Sequence, residues 1–206
     1  MISHEHKAIF IHIPKNAGMS IEKALGGNLK RIHRGPNRGK HGTPNDKKYK
    51  KTWKNLDYFK FCFVRNPFDR VVSAYEYDHK MSFVKGYAMR KKGADTARRL
   101  KVRSLGKEGF NIFIESFYKK MKKKAPPVWY KRQQFWIRNF KYDFIGRVEN
   151  IDKDFQIVCD ELGIENKLEK INTSDRSYYK EYYNEKSISI ISDYYSKDIQ
   201  RFNYSF

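Results

Sequence analysis

Apolar residues recur along this chain with two different periods, and the order in which the periods alternate is informative. Residues 7–13, KAIFIHI, form a β-rich run closed by Pro14, after which Ile21, Ala24 and Leu25 recur at helical spacing from about Ser20. The same order returns at 58–64, YFKFCFV, which empties into RNPFDRVVSAYEY with Asn66 at an N-cap position and Pro67 at the first helical position. A third short strand, YDFIG at 142–146, precedes a helix opened by Asn150, with Ile151, Phe155, Val158 and Leu162 inward and Gly163 as its stop. Two further helices follow from the pattern. Phe110, Phe113, Ile114, Phe117 and Met121 mark one that ends before Pro126 and Pro127, and Ile188, Ile191 and Tyr195 mark another over about 184–199.

Strands alternating with helices predict an α/β fold with a central parallel sheet flanked by helices, in which ligands bind at the C-terminal strand ends. Lys15 and Arg65 both fall at such ends. A length of 206 residues suits one domain, 1–206. Residues 26–55 read as loop with one short helix around 45–53, and 78–107 are basic and weakly patterned. His4 and His6 fall in a frayed N-terminus by this reading, while His12 alternates within the first strand and is expected to be packed.

Charge changes the picture. The net charge is +21, and its distribution is uneven: residues 31–54 carry 9 Lys or Arg against 1 acidic residue, and 78–127 carry 15 against 4. These two stretches hold 19 of the 21 net charges, as suits a polyanionic partner. Cys62 and Cys159 lie far apart inside apolar patterns and are expected to be reduced core residues. No His, Cys, Asp or Glu cluster has metal-ligand spacing, so no metal is expected. With neither an export signal pattern nor a run of about 18 apolar residues, the chain is expected to be cytoplasmic and without a transmembrane segment.

The first strand end reads PKNAGMS. A Gly-containing turn that opens a helix presents backbone N–H groups to an anion, and Lys15 adds a point charge there. In the Walker loop of kinases the lysine follows the glycines; here it precedes Gly18, so a P-loop kinase fits poorly. The second strand end reads FVRNPFDRVVSAY, with Arg65 followed eight residues later by Ser73. A guanidinium fork matches phosphate oxygens in a bidentate way, and a hydroxyl can complete the shell.

These two stretches, with DFIGRVENIDKDF and YYSKDIQRFNY further on, resemble the carbohydrate-type (Golgi-type, family 2-like) sulfotransferases that use 3′-phosphoadenosine 5′-phosphosulfate (PAPS). The resemblance runs from about Lys7 to the C-terminus. It implies a P-loop-like three-layer fold and transfer of a sulfuryl group from PAPS to an acceptor hydroxyl. By that resemblance Lys15 contacts the 5′-phosphosulfate and steadies charge on the leaving oxygen. Asn16, Ala17, Gly18, Met19 and Ser20 cradle the phosphate, and Arg65 and Ser73 take the 3′-phosphate. Family loops commonly carry Thr where Met19 stands, so one hydroxyl contact is lost and backbone amides are left to bind.

In-line transfer needs a base for the acceptor hydroxyl, and histidine titrates in the right range. His41 is the candidate, since KHGTPNDKKY resembles the family's histidine segment ahead of the second strand; His33 and then a carboxylate such as Glu76 are the alternatives. In KRQQFWIRNF, Gln134 and Trp136 are candidate acceptor-site residues, as the resemblance implies, and His33 is a third candidate for contact with the acceptor. The acceptor is expected to be a neutral or anionic glycan or glycolipid, steered by the basic segments. The competing reading, a nucleic-acid-binding protein whose Lys, Arg and aromatics track phosphates and bases, finds no nucleic-acid motif in the sequence.

Overall fold

In the computed structural model, residues 1–26, 56–82, 102, 105–121, 128–138, 140–169 and 177–206 are described. His33, His41, the short helix around 45–53, the whole basic segment 31–54 and about half of the basic segment 78–127 lie outside the described residues. In chain order the elements are β1 (Ile2–Ser3), β2 (Ala8–Ile11), α1 (Gly18–Ala24), β3 (Phe59–Val64), α2 (Pro67–Ser82) and α3 (Gly106–Met121). They continue with α4 (Gln134–Ile137), β4 (Phe144–Arg147), α5 (Ile151–Leu162), α6 (Glu185–Tyr194) and α7 (Ser196–Phe202).

The strands form one sheet in the order β1-β2-β3-β4. β2, β3 and β4 are parallel, with Phe10 opposite Phe61 and Phe63 opposite Gly146. The N-terminal residues are ordered as a short edge strand: β1 runs antiparallel to β2, pairing Ile2 with Ile9, and makes the sheet mixed. Met1 explains why, since its side chain is buried in the core and its carbonyl accepts from the Phe10 N–H at 3.0 Å.

The described residues divide into two compact units. The first, Met1–Arg65 with Arg132–Thr173, contains the sheet. Side-chain alternation puts Ala8, Phe10, Phe61 and Phe63 on one face, where they pack with Ile21 and Leu25 after and within α1 and with Phe155, Val158 and Cys159 of α5. The rings stack at centroid separations of 5.1 Å for Phe10 and Phe61 and 6.4 Å for Phe63 and Phe155. Ile9, Ile11, Cys62 and Val64 point the other way and are equally buried. A strand buried on both sides has no polar alternation, which is why β2 and residues 61–64 of β3 read as continuous apolar runs. Gly146 is required by this packing, because a Cβ there would lie 2.5 Å from the Phe63 ring.

Both cysteines are buried free thiols, and burial, with Asp160 beside it, pushes the Cys159 thiol up. The left-handed Gly163 (φ 62°) ends α5 as the pattern predicts, whereas Asn150 makes no side-chain cap and the Asp154 carboxylate accepts from the Arg147 N–H at 2.6 Å. Phe155 is fully buried at the centre of this core. Phe155→Ala is expected to cost about 3–5 kcal/mol, read as a lower urea midpoint at unchanged slope.

The second unit, Asn66–Lys131 with Ser174–Phe206, is helical. Asn66 caps α2 as predicted, accepting from the Phe68 N–H at 3.0 Å. The core is unusually aromatic: Phe68, Tyr75, Phe110, Phe117, Tyr130, Tyr182 and Tyr195 join Val71, Val72, Ile114 and Ile191. Buried tyrosines keep their hydroxyls satisfied on backbone carbonyls, Tyr75 on Gly106 at 2.6 Å and Tyr195 on Tyr130 at 2.7 Å. The predicted last helix is two, α6 and α7, broken at Tyr195; Asn184 and Ser187 form a capping box at the start of α6.

Candidate active site

The first unit brings two strand ends together. β2 leads through His12, Ile13 and Pro14 into a loop in which Lys15 (φ 69°) and Ala17 (φ 57°) both adopt the left-handed conformation, on either side of Asn16. Neither is glycine, and each such residue costs about 1–2 kcal/mol. Surrounding structure must therefore enforce the shape, and the side chain between them does so. Asn16 is 1% exposed, and its Nδ2 donates to the Phe63 carbonyl of β3 at 2.7 Å and to Gln133 Oε1 at 2.7 Å.

Gln133 completes the connection. It is fully buried just before α4, its Oε1 also accepts from the Arg65 N–H at 2.9 Å, and its Nε2 donates to the Arg65 carbonyl at 2.8 Å. Both Oε1 lone pairs and both Asn16 amide hydrogens are thus used. Asn16 Oδ1 is buried with no hydrogen-bond partner, a cost of roughly 1–3 kcal/mol. Turning the amide over would set oxygen against oxygen at Phe63 and Gln133, so the network dictates this orientation. Arg65 closes the ring from its other end, as its Nη1 donates to the Lys15 carbonyl at 3.1 Å.

The start of α1 is built for close approach. Ala17 offers no capping side chain, its carbonyl accepts from the Ser20 and Ile21 N–H groups, and the first turn holds no acidic residue. An anion is favoured at such a helix start. Gly18 sits directly on the His12 imidazole: a Cβ would lie 2.2 Å from Cδ2 and Nε2. His12 is packed as expected, and its Nδ1 donates to Glu22 Oε1 at 2.7 Å one turn along α1. Ser20 is nearly buried, while Met19, in the position where the resemblance expects Thr, is 41% exposed at the lip of the loop.

A family model described as "Sulfotransferase family" matches residues 1–205. The chain belongs to the sulfotransferase family. No curated protein and no solved structure gives a significant match to it.

The sulfotransferase thus gathers Lys15, Asn16, Ala17, Gly18, Met19, Ser20 and Arg65 around two adjacent strand ends of one unit. Ser73 stands on α2 in the other unit, half-buried, about two turns after Asn66. Asn16 commits its amide group to the protein, so its contribution to an anion site passes through the backbone. Trp136 is fully buried, and Gln134 is half-buried beside it. Sequence reasoning missed Gln133, although a signal was present. Gln133, Trp136 and Ile137 fall on one helical face at i, i+3 and i+4, and all three are buried, whereas Gln134 falls beside that face. Among the described residues no group of His, Cys, Asp or Glu stands ready to hold a metal ion, and no helix is long and apolar enough to cross a membrane.

Proposed function

We propose that this sulfotransferase takes its sulfuryl group from PAPS and passes it to a hydroxyl of a carbohydrate. The observation that supports this reading is the joining of the Lys15 loop and Arg65 through the Asn16–Gln133 network, which holds two strand ends, each carrying a basic residue, beside the start of α1. In this reading a donor with two phosphate groups lies with its 5′ end against the Lys15–Ser20 loop and its 3′-phosphate against Arg65. The donor supplies a sulfuryl group already activated as a mixed anhydride. The acceptor oxygen bonds to sulfur as the S–O bond to the 5′-phosphate breaks, leaving a sulfate ester and adenosine 3′,5′-bisphosphate. Lys15 stabilises the charge that gathers on the departing phosphate oxygen. The acceptor's proton passes to His41 in this reading, with His33 the alternative.

The basic stretches 31–54 and 78–127 would steer an anionic or amphipathic glycan toward the same rim, so added salt is expected to slow acceptor turnover more than it weakens donor binding. Incubation with sulfur-labelled PAPS and a panel of neutral glycans, anionic polysaccharides, glycolipids, phenols and peptides tests the acceptor class. Label is expected on a carbohydrate, and label confined to phenols or peptides would overturn that assignment. Nucleic-acid binding would instead give a steep, sequence-independent salt slope unaffected by Lys15→Ala.

A further inference from the structure

Gln133 touches neither loop at random. Its single carboxamide reads both faces of the Arg65 peptide, accepting from the N–H at 2.9 Å and donating to the carbonyl at 2.8 Å, in the manner of a neighbouring β-strand. With its remaining acceptor capacity it takes the Asn16 amide at 2.7 Å. Phe63, two residues before Arg65, holds the same Asn16 amide through its carbonyl. The peptide of Arg65 and the loop between Lys15 and Ala17 are therefore held in one register by a side chain from a third segment, the start of α4. Gln133 is fully buried and unionised, and it lies at the bottom of the network rather than on its rim.

We infer that Gln133 is a positioning residue that fixes the separation between the 5′-phosphate loop and Arg65, and so gives the site its preference for a nucleotide phosphorylated at both 3′ and 5′ positions over one carrying a single phosphate. This rests on the PAPS reading above. A ligand with one phosphate uses one half of the site and is indifferent to the register of the two halves. A ligand with two phosphates gains from the second only when both halves stand at the right distance, which is the advantage of preorganisation. The fixed backbone of Arg65 matters more here than its charge, because a guanidinium displaced by about 1 Å loses its bidentate geometry.

The test is the ratio of affinities for adenosine 3′,5′-bisphosphate and AMP, measured by calorimetry on wild type, Gln133→Leu, Gln133→Glu and Arg65→Ala. Gln133→Leu removes the hydrogen bonds to Asn16 and to both sides of the Arg65 peptide at similar volume. Gln133→Glu keeps both acceptor contacts and sets an oxygen against the Arg65 carbonyl, so it stays informative if the leucine variant unfolds. Ile137→Val, a buried residue of α4 one turn after Gln133, controls for lost packing. Both Gln133 variants are expected to lower the ratio at least tenfold with less than a threefold change for AMP, while Ile137→Val leaves the ratio unchanged. In an Arg65→Ala background, Gln133→Glu is expected to change the ratio no further. Equal weakening of both ligands would make Gln133 merely structural and overturn the inference, as would an unchanged ratio. Failure of the wild type itself to prefer the bisphosphate would overturn the PAPS reading instead.

Discussion

Lys15→Ala is expected to lower the rate of sulfuryl transfer by about 10²–10³, with the fold and the melting temperature close to those of wild type. The reason lies in where the residue stands. Its backbone is held by the loop, through its left-handed φ and through the carbonyl that accepts from Arg65, and neither needs the ammonium group. Removing the side chain therefore deletes charge at the departing phosphate oxygen while leaving the loop in place. Lys15→Arg is expected to recover only part of the loss, since a planar fork on a different stem puts its charge elsewhere. Single-turnover rates at saturating donor separate this from a binding defect. A variant that loses donor affinity but transfers at the wild-type rate would show that the lysine binds without assisting the chemistry.

Gly18→Ala is expected to be nearly as damaging by a different route. The added methyl would lie 2.2 Å from two atoms of the His12 ring, and that ring cannot simply retreat. It is 5% exposed, stacks on Phe10 at a centroid distance of 5.9 Å and is tied to Glu22, itself buried. Either the His12–Glu22 hydrogen bond breaks or the start of α1 moves outward, and both would change the N–H groups offered to a phosphate. Overpacking of this kind costs about 1–3 kcal/mol of stability. Affinity for adenosine 3′,5′-bisphosphate should fall at least tenfold in parallel. Chemical denaturation and calorimetry on the same protein check both effects, and a variant with lowered stability but intact affinity would show that the loop tolerates the shift.

The hydrophobic periods carried most of the fold because the elements they mark are buried on predictable faces. β3 buries Phe61 and Phe63 on one side and Cys62 and Val64 on the other, and α5 buries Phe155, Val158 and Cys159 at helical spacing. β1 escaped notice because two residues are too few to show a period; tertiary pairing with β2 and the buried Met1 make it a strand. The break at Tyr195 escaped for the opposite reason, since α6 and α7 continue one apolar pattern across it.

The two strand ends of the candidate site were legible because their signals are local. Pro14 to Ser20 and Arg65 to Pro67 announce strand ends by their residue types alone. Gln133 is a long-range partner, 117 residues from Asn16 and 68 from Arg65, and an uncharged amide beside a second glutamine carries no local mark of that role. The left-handed conformations of Lys15 and Ala17 were equally hidden, because neither residue type favours them and only the network around Asn16 holds them.

The central claim is that the two strand-end loops bind a nucleotide with phosphates at both ends of its ribose. It is tested most directly by calorimetric titration of wild type, Lys15→Ala and Arg65→Ala with adenosine 3′,5′-bisphosphate and with Mg·ATP. The account predicts one site that binds the bisphosphate more tightly than ATP and is weakened by both substitutions. Tighter binding of Mg·ATP, or bisphosphate binding that neither substitution alters, would contradict it.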